Sequence, residues 1–272
     1  MAESAGLLIR PESLFHILAL PDLVVLDSRG EQDYQRGHIV GAVHLSPSAL
    51  ERDIILDNGE TVSNMLSTPE DSTRVLRRAG INADSRVVVY DAGGGCSAAR
   101  LFWALEALGV SRVQLLDGGY DGWRDEIGIV TREEPAPTLG TVVARIDDRR
   151  VADFSEVLTG IGQGSKSLCN TLSADDFAGG AIPTSVNVPY YRTYTGGRYP
   201  VLQTAEALRE LFLGVGGTLE REMVFYCRIG YFAAQCYFAA RVAGFQRVSL
   251  YDGSMQDWVQ RGGRLLPSGR GA

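Results

Sequence analysis

The sequence has few of the residues that build disulfide frameworks or metal sites. Among 272 residues there are only four cysteines and three histidines, and the histidines all fall in the first quarter of the chain. The cysteines are too widely spaced for a CxxC metal motif, and they are too few for a disulfide scaffold in a chain of this length. We therefore expect a reduced, cytoplasmic protein that holds no metal ion.

The sequence also lacks a long apolar run and an excess of positive charge. Glu3, Arg10 and Glu12 interrupt the first residues, so no signal-peptide core is recognisable, and no apolar stretch reaches the length of a membrane span. The net charge of −7 argues against general affinity for nucleic acid or for an anionic membrane. A small anionic substrate stays open, because a local pocket can be positive on an acidic protein.

Several landmarks recur in the same order in the two halves of the chain. Two pairs are 143 positions apart and two further pairs are 135 positions apart, which is the signature of an internal repeat. The pairs are Asp27 and Asn170, Gly37 and Gly180, Asp117 and Asp252, and Trp123 and Trp258. The sequence therefore predicts a duplicated domain.

Short β-rich apolar runs alternate with helical patterns in each half, which is typical of βα units and a parallel sheet. The predicted fold is an α/β protein with two tandem domains, each a mainly parallel sheet flanked by helices. Residues 131–140 contain two prolines and several charges without periodicity, and this composition indicates a linker. The predicted boundaries are 1–130 for the first domain and 141–272 for the second.

A single cysteine stands where a buried strand meets a helix in the second half. Residues 223–226 are apolar or aromatic, Cys227 follows, and a loop with Gly230 leads into a helical stretch. This order places the sulfur at a helix N-terminus, where unpaired backbone N–H groups and the helix dipole favour an anion. Such surroundings lower the pKa of a thiol, and the thiolate is the reactive form. With the neighbouring positive charge of Arg228, Cys227 is the predicted nucleophile.

The run Val-Phe-Tyr-Cys-Arg-Ile-Gly at 224–230 resembles the active loop of tandem-domain rhodaneses, and the two ordered copies extend the resemblance over nearly the whole chain. The resemblance implies a sulfurtransferase that moves sulfane sulfur from thiosulfate to cyanide or a thiol through a persulfide on Cys227. It implies a ping-pong cycle with no metal and no organic cofactor. It also implies that the sulfur anion is held by the backbone amides of Arg228, Ile229, Gly230, Tyr231 and Phe232.

The first copy has Asp91 at the nucleophile position, 136 residues before Cys227. Because the landmarks on its C-terminal side are only 135 residues apart, the loop after the strand is one residue longer in the first copy. A carboxylate cannot form a persulfide. The resemblance therefore implies that the N-terminal domain is catalytically inactive.

The anion-binding arginine of the family has no counterpart at its usual place, where this sequence has Asp176. Arg192 and Arg198, in a segment rich in tyrosine and glycine, are the predicted substitutes. Arg228 favours a dianionic donor such as thiosulfate, whereas the neutral Ile229 favours 3-mercaptopyruvate. Both donors stay open at this point.

Two other functions compete with sulfur transfer to a small acceptor. A cysteine-dependent phosphatase needs an arginine six positions after the cysteine to clamp phosphate bidentately, but this position is Ala233, which argues against that function. A persulfide carrier that passes sulfur to an acceptor protein is suggested by the apolar residues Ile229, Tyr231 and Phe232. The expected partners are thus a small sulfur donor and a thiol, cyanide or protein acceptor, with neither nucleic acid nor membrane.

Overall fold

The computed structural model describes residues 6–164 and 166–267, which form two α/β domains in tandem. The elements of the first domain are, in chain order, β1 (Leu8–Ile9), α1 (Pro11–Ile17), β2 (Leu23–Asp27), α2 (Glu31–Arg36), β3 (His38–Ile39), β4 (Val43–His44), a 3-10 helix (Pro47–Leu50), β5 (Glu51–Ile55), β6 (Thr61–Leu66), α3 (Pro69–Arg78), β7 (Arg86–Tyr90), α4 (Cys96–Ala107), β8 (Val113–Leu116), α5 (Gly119–Glu126) and β9 (Val130–Thr131). Those of the second are β10 (Val151–Ala152), α6 (Phe154–Gln163), β11 (Lys166–Asn170), α7 (Ala174–Gly179), β12 (Val186–Asn187), a 3-10 helix (Tyr190–Thr193), α8 (Ala205–Gly214), β13 (Glu222–Tyr226), α9 (Tyr231–Val242), β14 (Val248–Tyr251) and α10 (Ser254–Gln260).

Each domain is built on a five-stranded sheet in which every neighbouring pair of strands is parallel. The strand order is β1-β8-β7-β2-β4 in the first sheet and β10-β14-β13-β11-β12 in the second. The two orders are the same when each strand of the first copy is matched to its counterpart in the second. The predicted fold class and the predicted duplication are therefore confirmed. Helices cover both faces of each sheet, which is why the central strands β7 and β13 are continuous apolar runs.

Helices α4 and α9 pack against each other and hold the two domains together. They run in the same direction, because Arg100 reaches Gly230 near their N-termini and Glu106 accepts a hydrogen bond from Tyr237 further along. The rings of Phe102 and Phe238 meet edge to face between them, with centroids 4.8 Å apart. Each helix is apolar on nearly all sides because one side faces its own sheet and the other faces its partner helix. Both have only 12 residues, and no helix in the described part of the chain is long and apolar enough to cross a membrane.

The antiparallel hairpin β5–β6 of the first domain crosses over to the second domain. The backbone N–H of Leu66 donates to Asp252 Oδ2 at 2.6 Å, and that of Ser63 donates to Gln256 Oε1 at 3.1 Å. In the opposite direction, the N–H of Leu202 donates to Asp117 Oδ1 at 3.1 Å. Each domain therefore contributes a segment that lies against the strand ends of the other.

The segment between β9 and β10, residues 132–150, contains no helix or strand and runs along the first domain. The N–H of Gly140 donates to the carbonyl of Arg77 at 2.8 Å, and the N–H of Arg145 donates to that of Leu108 at 3.0 Å. Most of the predicted linker at 131–140 falls in this segment. The exact domain boundaries stay a prediction, and positions 1–5, 165 and 268–272 of the predicted ranges lie outside the described residues.

The contact between this segment and the first domain predicts the effect of a substitution at Gly140. A Cβ atom there would lie 2.1 Å from the carbonyl oxygen of Ile81, so Gly140→Ala must displace backbone. We expect a loss of about 1–3 kcal/mol in the free energy of unfolding, measured by urea denaturation. The control is Gly179→Ala, where no atom lies within 4 Å of the new Cβ. Equal urea midpoints for the two variants would contradict the prediction.

Candidate active site

Polar groups gather where the parallel strands of the second sheet end. Asn170 ends β11, Cys227 follows β13 and Asp252 follows β14. In open α/β sheets, ligands bind in the crevice outside the carboxyl ends of the strands. The segment that joins β13 to the start of α9, here named the Cys227 loop (residues 227–232), lies at this edge. Gly230 of this loop has a φ of +94°, a conformation that favours glycine, and α9 begins at the next residue, Tyr231.

The sulfur of Cys227 lies at the N-terminus of α9 and accepts a backbone hydrogen bond. The donor is the N–H of Gly230, whose nitrogen is 3.1 Å from Sγ. The backbone of the cysteine is also fixed: its N–H donates to Ser254 Oγ at 3.1 Å, and its carbonyl accepts from the N–H of Met255 at 3.1 Å. Ser254 in turn donates to the carbonyl of Tyr251 at 3.0 Å. A thiolate at this position therefore meets an oriented N–H dipole.

The thiol is almost closed to solvent although its loop is not. Cys227 is 1% exposed, whereas Ile229 and Phe232 of the same loop are 39% and 36% exposed. The ring of Phe232 stacks on Tyr190 with centroids 4.1 Å apart and 4° between planes. In this conformation the sulfur is therefore not open to a donor. Cys227 packs within the main apolar core cluster, and its sulfur also accepts the Gly230 N–H.

The other three cysteines have different surroundings. Cys169 in β11 and Cys236 in α9 are fully buried in the core, and burial raises the pKa of Cys169 to about 12 and that of Cys236 well above its usual value. Cys96 is the first residue of α4, is partly exposed, and has a pKa raised chiefly by desolvation. Among the hydrogen bonds of the described residues, Cys227 is the only cysteine whose sulfur accepts a backbone N–H, whereas the sulfurs of Cys169 and Cys236 donate to carbonyls.

In the first copy a carboxylate fills the corresponding cradle of amides. Asp91 follows β7, and its two carboxylate oxygens accept N–H bonds from Gly93 at 3.0 Å, Gly95 at 3.3 Å and Ala98 at 3.1 Å. Gly95 precedes α4 as Gly230 precedes α9, so the same amide points at an acidic group in both copies. α4 begins five residues after Asp91, whereas α9 begins four residues after the cysteine, which confirms the predicted difference in loop length.

The shorter loop in the second copy makes room for a serine. Ser254 has a φ of +52°, unusual for a residue with a side chain, and is fully buried. Its counterpart in the first copy is Gly119, where a Cβ atom would lie 2.7 Å from the nitrogen of Gly93 and from the carbonyl oxygen of Asp91. The longer loop of the first copy therefore leaves no room for a side chain at position 119. In the second copy the hydroxyl occupies that space and holds the cysteine backbone.

Arg228 projects from the loop and is 64% exposed at its side chain. Its guanidinium forms an ion pair with Asp176, with Nη2 2.7 Å from Oδ1. A hydrogen bond from Ser173, followed by this arginine, holds the pKa of Asp176 below its usual value. Exposed ion pairs of this kind contribute little to stability, so Arg228 can leave Asp176 for an anionic donor at small cost.

Arg192 and Arg198, the two arginines predicted to bind the donor, lie in different surroundings. Arg192 is exposed and belongs to the same 3-10 helix as Tyr190, beside the Cys227 loop. It lines a cleft of about 450 Å³ with Asn187 and Tyr191. Arg198 instead pairs with Asp125 of the first domain, with Nε 2.8 Å from Oδ2. None of the contacts described for the guanidinium of Arg198 or of Arg192 reaches the Cys227 loop, so Arg228 is the only one of the three arginines that the structure places in the loop, and the donor ligands stay a prediction.

Two residues beside the loop were not found from the sequence. Ser254 could have been noticed, because the first copy has Asp-Gly-Gly at 117–119 and the second has Asp-Gly-Ser at 252–254. Arg100 also gave a signal, since it is one of two charges in the otherwise apolar α4, and a buried charge must be paired. The partners of Arg100 come from distant segments, and only the fold identifies them.

Both halves of the chain match the family model described as the rhodanese-like domain, over residues 11–126 and 153–261. The 3-mercaptopyruvate sulfurtransferase of Escherichia coli (strain K12) is 29% identical over 265 residues, covering 89% of this chain and 90% of its own. The thiosulfate sulfurtransferase of Azotobacter vinelandii is 28% identical over 264 residues, covering 94% of this chain and 94% of its own. The crystal structure of the 3-mercaptopyruvate sulfotransferase SseA from Escherichia coli superposes with a TM-score of 0.79 at 26% identity, covering 91% of this chain and 98% of that chain.

The chain thus belongs to the rhodanese family, with two family domains in tandem. It is a sulfurtransferase, as the resemblance in the sequence implied.

The filled cradle in the first copy predicts a dependence of stability on pH. Burial raises the pKa of Asp91 to about 6, although three amide hydrogen bonds oppose the shift. The unfolded chain releases this proton near pH 4, so ionisation costs stability progressively between about pH 4 and pH 6. Asp91→Asn removes that cost, although it loses one acceptor. The variant should therefore be destabilised, relative to wild type, more at pH 4.5 than at pH 7.5 in urea denaturation. The same difference at both pH values would contradict the raised pKa.

Proposed function

We propose that the protein transfers sulfane sulfur from thiosulfate to a thiol or cyanide acceptor through a persulfide on Cys227. The observation that carries the proposal is the sulfur at the N-terminus of α9 with the N–H of Gly230 3.1 Å away. An N–H dipole at this place stabilises both the thiolate that attacks and the negative persulfide that results. The proposal assigns the reaction to the second domain, with Asp91 leaving the first domain without a nucleophile.

The reaction is a double displacement at sulfur. The Cys227 thiolate attacks the outer sulfur of thiosulfate, a new S–S bond forms, and sulfite leaves with the electron pair of the bond that breaks. The acceptor then attacks the outer sulfur of the persulfide, and the cysteine leaves as a thiolate. No redox partner is needed, because each S–S bond is exchanged for another bond to the same sulfur.

The carboxylate of Asp91 indicates where the outer sulfur lies. It accepts amides equivalent to those of Gly230 and Ala233, so these two N–H groups are the proposed ligands of the persulfide anion. The amides of Tyr231 and Phe232, the first two residues of α9, lie between them and complete the cradle. Arg228 and Ile229 form the rim of the loop, where the charge of Arg228 attracts the donor.

Two alternatives share the same cysteine chemistry. A 3-mercaptopyruvate donor fits a loop whose central residue, Ile229, is neutral. A protein acceptor fits the exposed apolar side chains of Ile229 and Phe232 beside the thiol. We also propose a reducing, cytoplasmic setting, which the four cysteines outside any disulfide support.

The persulfide assignment is tested by intact-protein mass spectrometry after treatment with thiosulfate. Wild type should gain the mass of one sulfur atom, and Cys227→Ser should gain none. The matched control is Cys96→Ser, which removes a partly exposed thiol and should still be labelled on Cys227. Labelling of Cys227→Ser at the wild-type level would defeat the assignment.

The roles of the arginines are tested by kinetics with two donors. We expect Arg192→Ala and Arg228→Ala each to raise the KM for thiosulfate several-fold with a smaller change in kcat, because they act on the donor anion. Arg198→Ala serves as the comparison, since its guanidinium is held by Asp125. If Arg198→Ala raised the KM and the other two variants did not, Arg198 would again be the preferred ligand of the donor. Higher kcat/KM with 3-mercaptopyruvate than with thiosulfate in wild type would favour the alternative donor.

A further inference from the structure

A guanidinium from the first domain lies beneath the Cys227 loop. Arg100, one turn into α4, has a side chain that is 1% exposed. Its Nη1 is 2.7 Å from Asp252 Oδ1 and its Nε is 2.9 Å from Glu51 Oε1. Its Nη2 donates to the carbonyl of Asn64 at 2.5 Å. One side chain of the domain without a nucleophile thus connects its own hairpin β5–β6 to the strand end next to the cysteine.

The same guanidinium touches the residue that donates to the sulfur. A Cβ atom at Gly230 would lie 2.7 Å from Arg100 Nη1 and 3.1 Å from the carbonyl oxygen of Asp252. The backbone of Gly230 is therefore packed directly against Arg100 and Asp252. The next residue of the loop is held as well, because the Tyr231 hydroxyl donates to Glu51 Oε2 at 3.1 Å. Gly230 and Tyr231 are therefore both in contact with groups of the first domain.

Comparison of the two copies shows that this arrangement is one-sided. The equivalent of Arg100, 135 positions later, is Gln235, which is fully buried and donates to Thr193 Oγ1 at 3.1 Å. The equivalent of Asp252 is Asp117, and both aspartates accept an N–H from the other domain. Of these two aspartates, Asp252 beside the thiol is the one that forms an ion pair with a guanidinium among the described residues.

We infer that Arg100 is a positioning residue for sulfur transfer: it fixes the Gly230 N–H on the sulfur of Cys227 through contact with Gly230 and through its ion pairs with Asp252 and Glu51. This inference rests on the proposed function of Cys227. Because two carboxylates surround the single cation, the local charge is not positive, and Arg100 acts by geometry rather than by attracting the donor. The first domain is then half of the active site although it has no nucleophile.

The test compares Arg100→Gln with Arg241→Gln. Arg241 of α9 also forms a largely buried ion pair between the domains, with Glu106 at 3.1 Å, but at the far end of the same helix pair. Both variants weaken the domain interface, and only the first touches the loop. Two readouts are measured for each: kcat and KM with thiosulfate, and the pH dependence of iodoacetamide alkylation at Cys227, followed on its own peptide by mass spectrometry.

For Arg100→Gln we expect kcat to fall roughly 10- to 100-fold with KM within about threefold, because the lost interaction acts on the reacting sulfur. The midpoint of the alkylation profile should rise, since the thiolate loses an oriented donor. For Arg241→Gln both readouts should stay near wild type. Equal changes in the two variants, or an unchanged alkylation midpoint in Arg100→Gln, would overturn the inference.

Removal of a buried cation can prevent folding, so a milder variant is included. Glu51→Gln keeps Arg100 paired with Asp252 but removes a negative charge, which alone would lower the alkylation midpoint; a raised midpoint in this variant would therefore report the loss of positioning. An unchanged or lowered midpoint in this variant counts against the positioning role. Alkylation requires no sulfur donor, so this readout stands even if wild type is not loaded by thiosulfate, an outcome that would reject the proposed function alone.

Discussion

The hydrogen bond from the Gly230 N–H to the Cys227 sulfur is the interaction on which the site depends. It exists because a parallel strand, β13, delivers the cysteine to the point where α9 begins with unpaired amides. The sheet fixes the position of the sulfur and the helix fixes the direction of the dipole. Neither the charge of Arg228 nor the apolar rim of the loop could replace this arrangement, because both lie on exposed side chains.

The repeated landmarks were sufficient to predict the fold and the position of the Cys227 thiol. Strand and helix patterns at fixed offsets predicted two parallel sheets, and the strand–cysteine–glycine–helix order predicted the thiol at a helix N-terminus. Both are consequences of local sequence, since the amides that face the sulfur belong to the residues that follow it. The one-residue difference in loop length was also visible in the offsets.

The sequence was less informative wherever the two domains meet. Arg198 was predicted to bind the donor because its segment is rich in tyrosine and glycine, but this segment contacts the first domain, where Arg198 pairs with Asp125. Arg100 was overlooked because Glu51, Asn64 and Asp252 are far from it in sequence. Contacts of this kind depend on how α4 and α9 pack, and no periodicity within either helix encodes the direction of its partner.

The relation between Gly119 and Ser254 has a consequence for the first of the duplicated domains. The longer loop of the first copy occupies the space in which Ser254 holds the cysteine backbone in the second. Replacing Asp91 by cysteine would therefore leave the thiol in a loop of the wrong length, without its supporting hydroxyl. A cysteine supported as in the second copy would require a shorter loop and a serine at position 119 as well. The difference between the two halves is thus built into the loop length and not only into the identity of residue 91.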